Sequence, residues 1–145
     1  MAIITVAGAA AIIAALCLLL HYEVLHLLFR RSHELKHVPR FRVVVVFGAL
    51  MSAHLVEIWI FAFGYWLLCT RPELGRIEGP VHHILDYVYF SSVTYSTIGF
   101  GDIVPVGPVR FIAATEAISG LFMITWSASF LFGQMHDFWS EKARL

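Results

Sequence analysis

Charged side chains are scarce in this chain. They make up 14% of its 145 residues, against 59% for hydrophobic residues, and the mean hydropathy is +0.78. Values so far from those of soluble domains indicate a membrane protein. Lys and Arg together number 10, as do Asp and Glu, so the net charge favours neither a nucleic acid nor an acidic substrate as partner.

Cysteine is almost absent as well. Cys17 and Cys69 lie in or beside apolar runs and far apart in sequence, which excludes a disulfide-rich scaffold and predicts two small core residues. The sequence also lacks internal repeats, low-complexity tracts and a soluble domain. No apolar run carries arginine at every third position, and this absence excludes a voltage-sensor helix.

Three apolar runs are long enough to cross a bilayer, whose hydrocarbon core of about 30 Å needs about 20 helical residues. They cover residues 2–20, with a more mixed continuation to Phe29, then residues 43–69 and residues 109–133. No basic residue precedes the first run and no convincing cleavage site follows it, so we expect a retained helix rather than a signal peptide. The fold class predicted is an all-α membrane protein with three transmembrane helices.

The segment between the second and third runs, residues 70–108, is too polar and too rich in glycine and proline to cross the membrane. Its middle, residues 82–97, contains no helix breaker and predicts a short re-entrant helix that enters from one side. The domains predicted are an amino-terminal helix with a basic linker (1–42), a central membrane domain (43–133) and a short tail (134–145).

Basic residues are concentrated between the first two runs. They are Arg30, Arg31, Lys36, Arg40 and Arg42. The positive-inside rule therefore predicts that this linker is cytoplasmic, with the amino terminus outside and the carboxyl-terminal tail inside. The same basic residues could also contact anionic membrane lipids.

The stretch TYSTIGFGD, residues 94–102, places two glycines one residue apart in this apolar chain. Irregular backbone is tolerated at membrane depth only where it lines water or is buried in protein. Gly99 and Gly101 can adopt positive φ without steric strain, which would turn successive carbonyls to the same side. A cation could then exchange its hydration shell for a column of oxygens, from the carbonyls of Thr97, Ile98, Gly99 and Phe100 and the Thr97 hydroxyl.

The string Thr97-Ile98-Gly99-Phe100-Gly101-Asp102 resembles the potassium-channel signature T-V/I-G-Y/F-G-D, set between a short helix and a long apolar one. Residues 54–59 and 116–123 are similar to segments of small bacterial channels with one pore loop per chain. The resemblance covers roughly residues 43–133.

This resemblance implies a homotetramer, because one loop supplies one quarter of a filter. It implies potassium bound at Thr97, Ile98, Gly99 and Phe100 in a filter that ends at Gly101, with membrane lipids as surroundings. It implies passive potassium conduction in a plasma membrane, most simply a bacterial inner membrane. The protein is then not an enzyme and needs no cofactor.

Two residues depart from the family pattern. Phe100 replaces the commoner tyrosine and removes a hydroxyl that ties the filter to the pore helix in relatives. Val93 stands where some relatives have a glutamate, so Asp102 lacks that partner. A less selective cation channel and a non-conducting auxiliary or sensor subunit both stay open as alternatives.

Several polar residues of the apolar runs allow more than one role. His54 and Glu57 share a helix face, which predicts a structural brace or a pH sensor. A metal site is disfavoured, because no second histidine is in register with them. Glu116 is expected to be a brace, and Gly120 either a gating hinge or a site of close helix packing.

Two further expectations concern the re-entrant segment. Asp102 could cap backbone amides at the outer mouth or form a ring of four carboxylates that concentrates cations. Ser91 and Ser92 are expected to bond back to their own helix, as serines in membrane helices usually do.

Overall fold

The computed structural model describes residues 1–31 and 39–142. Most of the predicted basic linker, including Lys36, and the last three residues of the predicted tail lie outside them. Four helices make up most of the described chain: α1 (Ala2–Arg31), α2 (Pro39–Leu68), α3 (Ile84–Tyr95) and α4 (Arg110–Lys142). A single 3₁₀ turn (Pro72–Leu74) and two strands, β1 (Arg76–Glu78) and β2 (Val104–Val106), complete the order of elements.

Three of the helices are long and apolar enough to cross a membrane. They cover Ala2–Arg31, Phe41–Leu68 and Arg110–His136, and each contains most of one predicted run. Their apolar residues are spread around the whole helix, as expected when lipid or protein surrounds every face. The three-span prediction therefore agrees with the structure.

Helix α3 lies inside the predicted segment 82–97 and begins with a capping box. Oδ2 of Asp86 accepts hydrogen bonds from the backbone N–H groups of His82 (2.7 Å) and His83 (3.0 Å). These donors have no partner within the helix, so the carboxylate stabilises its first turn. With 12 residues the helix is about 18 Å long, which is too short to cross the hydrocarbon.

The all-α prediction is incomplete, because β1 and β2 form an antiparallel ribbon. Arg76 pairs with Val106, Ile77 with Pro105, and Glu78 with Val104. The ribbon joins the loop after α2 to the segment just before α4. Strands of three residues are too short for an alternating pattern to predict.

Helix α1 packs against α2 and α4 of its own chain, and α3 packs between α2 and α4. The main core contains Val6, Phe61, Tyr65, Phe90 and Ile112, all almost fully buried. A second cluster, Leu25, Val46 and Leu50, joins the carboxyl-terminal part of α1 to the amino-terminal part of α2. The amino-terminal helix is thus part of the same bundle as the central domain.

Gly120 lies where α4 crosses the end of α3. A Cβ atom at this position would be 2.2 Å from the carbonyl oxygen of Tyr95. The missing side chain therefore permits close approach of the two helices, as small residues do in membrane bundles. This supports the packing alternative for Gly120, and a hinge role stays a prediction.

We expect Gly120→Ala to destabilise the protein. The backbone contact must widen, and such overpacking destabilises by about 1–3 kcal/mol, more than the roughly 1 kcal/mol gained in helix propensity. The melting temperature of the detergent-solubilised protein should fall. Gly133→Ala is the matched control, because its added Cβ on the same helix meets nothing within 4 Å; equal melting temperatures for the two variants would contradict the packing role.

Acid should weaken the start of α3. Hydrogen bonds from the backbone of His82 and His83 lower the pKa of Asp86 below its ordinary value of 3.8. A carboxylate whose pKa is lower in the folded state stabilises the protein at pH values above its ordinary pKa. This stability is lost as pH falls through the folded-state pKa. We expect Asp86→Ala to lower the melting temperature near pH 6, and the difference from wild type to shrink below about pH 3.8.

The exposed acid Glu73 supplies the control for this measurement. Glu73→Ala should leave the melting temperature unchanged at both pH values. A difference between Asp86→Ala and wild type that stays constant across this pH range would show that the cap does not depend on the carboxylate charge.

Candidate functional site

The backbone after α3 adopts an unusual alternating conformation. Thr97, Gly99 and Gly101 have φ values of 59°, 53° and 80°, so every second residue of the loop is left-handed. In the part of the chain that the structure describes, Thr97 is the only residue other than glycine with positive φ. A β-branched residue in this region is strained, and such strain is concentrated at functional sites.

Backbone hydrogen bonds attach the loop to the carboxyl end of α3. The N–H of Gly99 donates to the carbonyl of Val93 (3.0 Å), and the N–H of Thr97 donates to that of Thr94 (2.9 Å). The last carbonyls of a helix have no partner within it. Here they hold the loop, so its conformation depends on the position of α3.

The other side of the loop is open in the single chain. Ile98 and Phe100 are 60% and 68% exposed, and Cβ atoms built on Gly99 and Gly101 would meet nothing within 4 Å. Their left-handed backbone, rather than lack of space, therefore favours glycine at these two positions.

Asp102 has a partner that the sequence interpretation missed. The hydroxyl of Tyr89 donates a hydrogen bond to its Oδ2 at 2.9 Å, which links the end of the loop to the middle of α3. This bond to a carboxylate raises the pKa of Tyr89. Tyr89 lies one helical turn before Val93, so helix periodicity could have indicated it as a substitute for the missing glutamate.

Five side chains form a closed ring of hydrogen bonds at the junction of all four helices. Nδ1 of His21 is 2.9 Å from Oε1 of Glu57, and the hydroxyl of Tyr95 donates to the other carboxylate oxygen. Nδ1 of His54 is 2.9 Å from the Tyr95 oxygen. Oγ of Ser127 closes the ring, at 3.0 Å from Nε2 of His54 and 3.1 Å from Nε2 of His21.

Counting hydrogens gives the charge that this ring would have with all five hydrogen bonds formed. Tyr95 donates to Glu57, so its oxygen accepts from His54, and Ser127 donates to one imidazole and accepts from the other. Five contacts need five hydrogens, one more than two neutral imidazoles, two hydroxyls and a carboxylate provide. A ring in which all five contacts are hydrogen bonds would therefore hold one additional proton and have no net charge, which would suit its apolar surroundings.

The ring changes the interpretation of His54 and Glu57. The two residues do pair, with Nδ1 of His54 3.3 Å from Oε2 of Glu57. The expectation that no second histidine joins them is wrong, because α1 brings His21 into contact with the same carboxylate. The sequence could not show this, since 36 residues separate His21 from Glu57.

Glu116 joins α4 to two other helices. It accepts a hydrogen bond from the Tyr65 hydroxyl at 2.6 Å and contacts Oγ of Ser91. Ser91 also lies 2.9 Å from the carbonyl of Ile58 on α2, so the expectation that it bonds back to its own helix is wrong. Ser92 does so, through the carbonyl of Val88.

A comparison with protein families adds to this geometry. A family model described as an ion channel matches residues 42–136, which is about two-thirds of the chain and includes α3, the loop and the part of α4 up to residue 136. No curated protein matches the chain, and no solved structure matches it.

Loss of the Tyr89 hydroxyl should loosen the loop. Tyr89→Phe removes the donor to the Asp102 carboxylate, so it should speed amide hydrogen exchange in residues 99–103. Tyr87→Phe, two residues away on the same helix, is the control and should exchange at the wild-type rate. Equal exchange in the two variants would mean that Asp102 does not need this bond.

Proposed function

The chain belongs to a family of ion channels, and on this premise we propose that it is a potassium-selective channel that works as a homotetramer. Its three membrane-length helices make it a multi-pass membrane protein. The proposed filter is Thr97 to Gly101, with Asp102 at the outer mouth. Conduction through such a filter is passive and needs neither an enzyme's catalytic groups nor a cofactor.

The observation that carries this proposal is the alternation of left-handed residues at Thr97, Gly99 and Gly101. In an ordinary extended strand, successive carbonyls point to opposite sides. Left-handed conformations at every second residue turn them to one side instead, which is the requirement for a backbone that coordinates a dehydrated cation. Potassium is the ion that the TIGFGD string favours.

Four chains are needed because one loop can offer ligands from one side only. The open faces of Ile98 and Phe100 leave room for neighbouring copies around an axis. Helix α4 also has exposed apolar residues, including Ile118, Leu121 and Phe122. We infer that these pack against the neighbouring chains or line the pathway below the filter.

Charge supports cation rather than anion conduction. The carboxyl end of α3, the negative end of the helix dipole, lies directly before Thr97. Four copies of Asp102 would add carboxylates at the outer mouth, where they would raise the local cation concentration.

The proposed orientation follows the basic residues at the helix ends. Arg30 and Arg31 end α1, and Arg42 near the start of α2 donates a hydrogen bond to Gln134 of α4. By the positive-inside rule this end of the bundle is cytoplasmic, and the amino terminus and filter mouth face outside. A plasma membrane, such as a bacterial inner membrane, is the proposed location.

The proposal is tested by potassium flux into proteoliposomes, with sodium as competitor and barium as blocker. Gly99→Ala should lower potassium flux by at least about tenfold, because a left-handed conformation costs an L-residue about 1–2 kcal/mol and all four chains carry the change. Gly48→Ala is the control, since its added Cβ also meets nothing within 4 Å and Gly48 belongs to α2 rather than to the loop.

The possible outcomes separate the alternatives. Barium-blocked flux that prefers potassium, and that Gly99→Ala abolishes, supports the proposal. Equal potassium and sodium flux would instead identify a less selective cation channel. No flux from a verified tetramer over a wide range of pH and voltage would identify a non-conducting subunit.

A further inference from the structure

We propose that His21, His54 and Glu57 form a binding site for a divalent transition-metal ion of the zinc class. The site lies inside the helix bundle behind α3, apart from the proposed filter. It is independent of the proposed function, because the ion it would hold is not the permeant one.

The spacing of the ligand atoms fits such an ion. One ligand atom from each of the three residues lies within 4.8 Å of the others. Nδ1 of His21 lies 2.9 Å from Oε1 of Glu57, and Nδ1 of His54 lies 3.3 Å from the other carboxylate oxygen, Oε2. Bonds of about 2.0–2.1 Å in a tetrahedral zinc site place neighbouring ligands about 3.3 Å apart, which is close to both of these nitrogen–oxygen distances.

The chemistry of the donors selects the class of metal. Two imidazole nitrogens and one carboxylate oxygen suit zinc and its neighbours, whereas calcium and magnesium prefer oxygen ligands alone. His21 and Glu57 are both fully buried, and the carboxylate neutralises one of the ion's two charges. The Tyr95 hydroxyl, which contacts both His54 and Glu57, places a fourth donor atom beside the set.

Ser127 provides the outer contacts that metal-binding histidines need. A histidine that binds metal through Nδ1 donates its Nε2–H to a nearby acceptor, which orients the ring. Nε2 of His54 and Nε2 of His21 both lie within 3.1 Å of Oγ of Ser127. A hydroxyl oxygen has two lone pairs, so it can accept from both rings at once.

A cavity lies beside the site. Its volume is about 410 Å³, and its lining is mostly apolar but includes His54, Tyr95 and Ser127. Three members of the hydrogen-bonded ring therefore face this cavity. A bound ion would displace the one additional proton of the ring and take over its role of joining α1 to α2.

The direct test is metal content. Tag-free purified protein is dialysed against zinc, washed, and its zinc measured by mass spectrometry beside the protein concentration. We expect one zinc per chain in the wild type, and loss of this zinc in His21→Ala and Glu57→Gln. His26→Ala and Glu23→Gln are the controls, because they change exposed residues of the same type on α1 and should keep the zinc.

A second measurement does not depend on whether the variants fold. Cobalt bound to the wild type should give the visible absorption bands of a four-coordinate ion, and zinc should displace the cobalt and abolish these bands.

Ser127→Ala should weaken zinc binding by about 10–100-fold, as loss of an outer contact does elsewhere. Wild-type protein that gives no four-coordinate cobalt bands, or zinc retained in folded His21→Ala, would overturn the proposal and leave the ring as a hydrogen-bonded structure only.

Discussion

The interior of a bilayer contains no water to pair with polar groups, and this constraint shapes the protein more than any other. Each buried polar side chain must find its partner within the chain. Glu57 does so in the ring with His21, Tyr95 and their neighbours, and Glu116 does so with Tyr65 and Ser91. These two carboxylates join all four helices, so the polar residues that are most costly to bury also determine how the helices pack.

These contacts bear on the position of the loop that follows α3. Tyr95 is the last residue of α3 and lies two residues before the strained Thr97. Its hydroxyl is held by the ring, and its carbonyl lies against Gly120. Strained backbone persists only where the surrounding structure determines it fully. We infer that the ring and the close contact with α4 together hold the carboxyl end of α3, from which the loop takes its shape.

Features that depend on local sequence could be predicted, and features that depend on distant pairs could not. The three long helices follow from apolar runs of sufficient length, and the glycines indicated the left-handed positions 99 and 101. Thr97 was missed because propensity argues against positive φ in a β-branched residue. His21 and Tyr65 were missed because 36 residues separate His21 from Glu57 and 51 separate Tyr65 from Glu116. No local sequence pattern predicts contacts over such separations. Tyr89, the partner of Asp102, is a missed residue that helix periodicity could have indicated.

The central claim is that backbone carbonyls of four chains together bind potassium, and the most direct measurement is a cryo-electron microscopy map of the purified assembly in potassium chloride. The account predicts fourfold symmetry and a column of ion density on the axis, level with Thr97 to Phe100. Repeating the map with sodium in place of potassium should weaken that column. An assembly without a fourfold axis, or one in which these residues face away from the axis, would contradict the account.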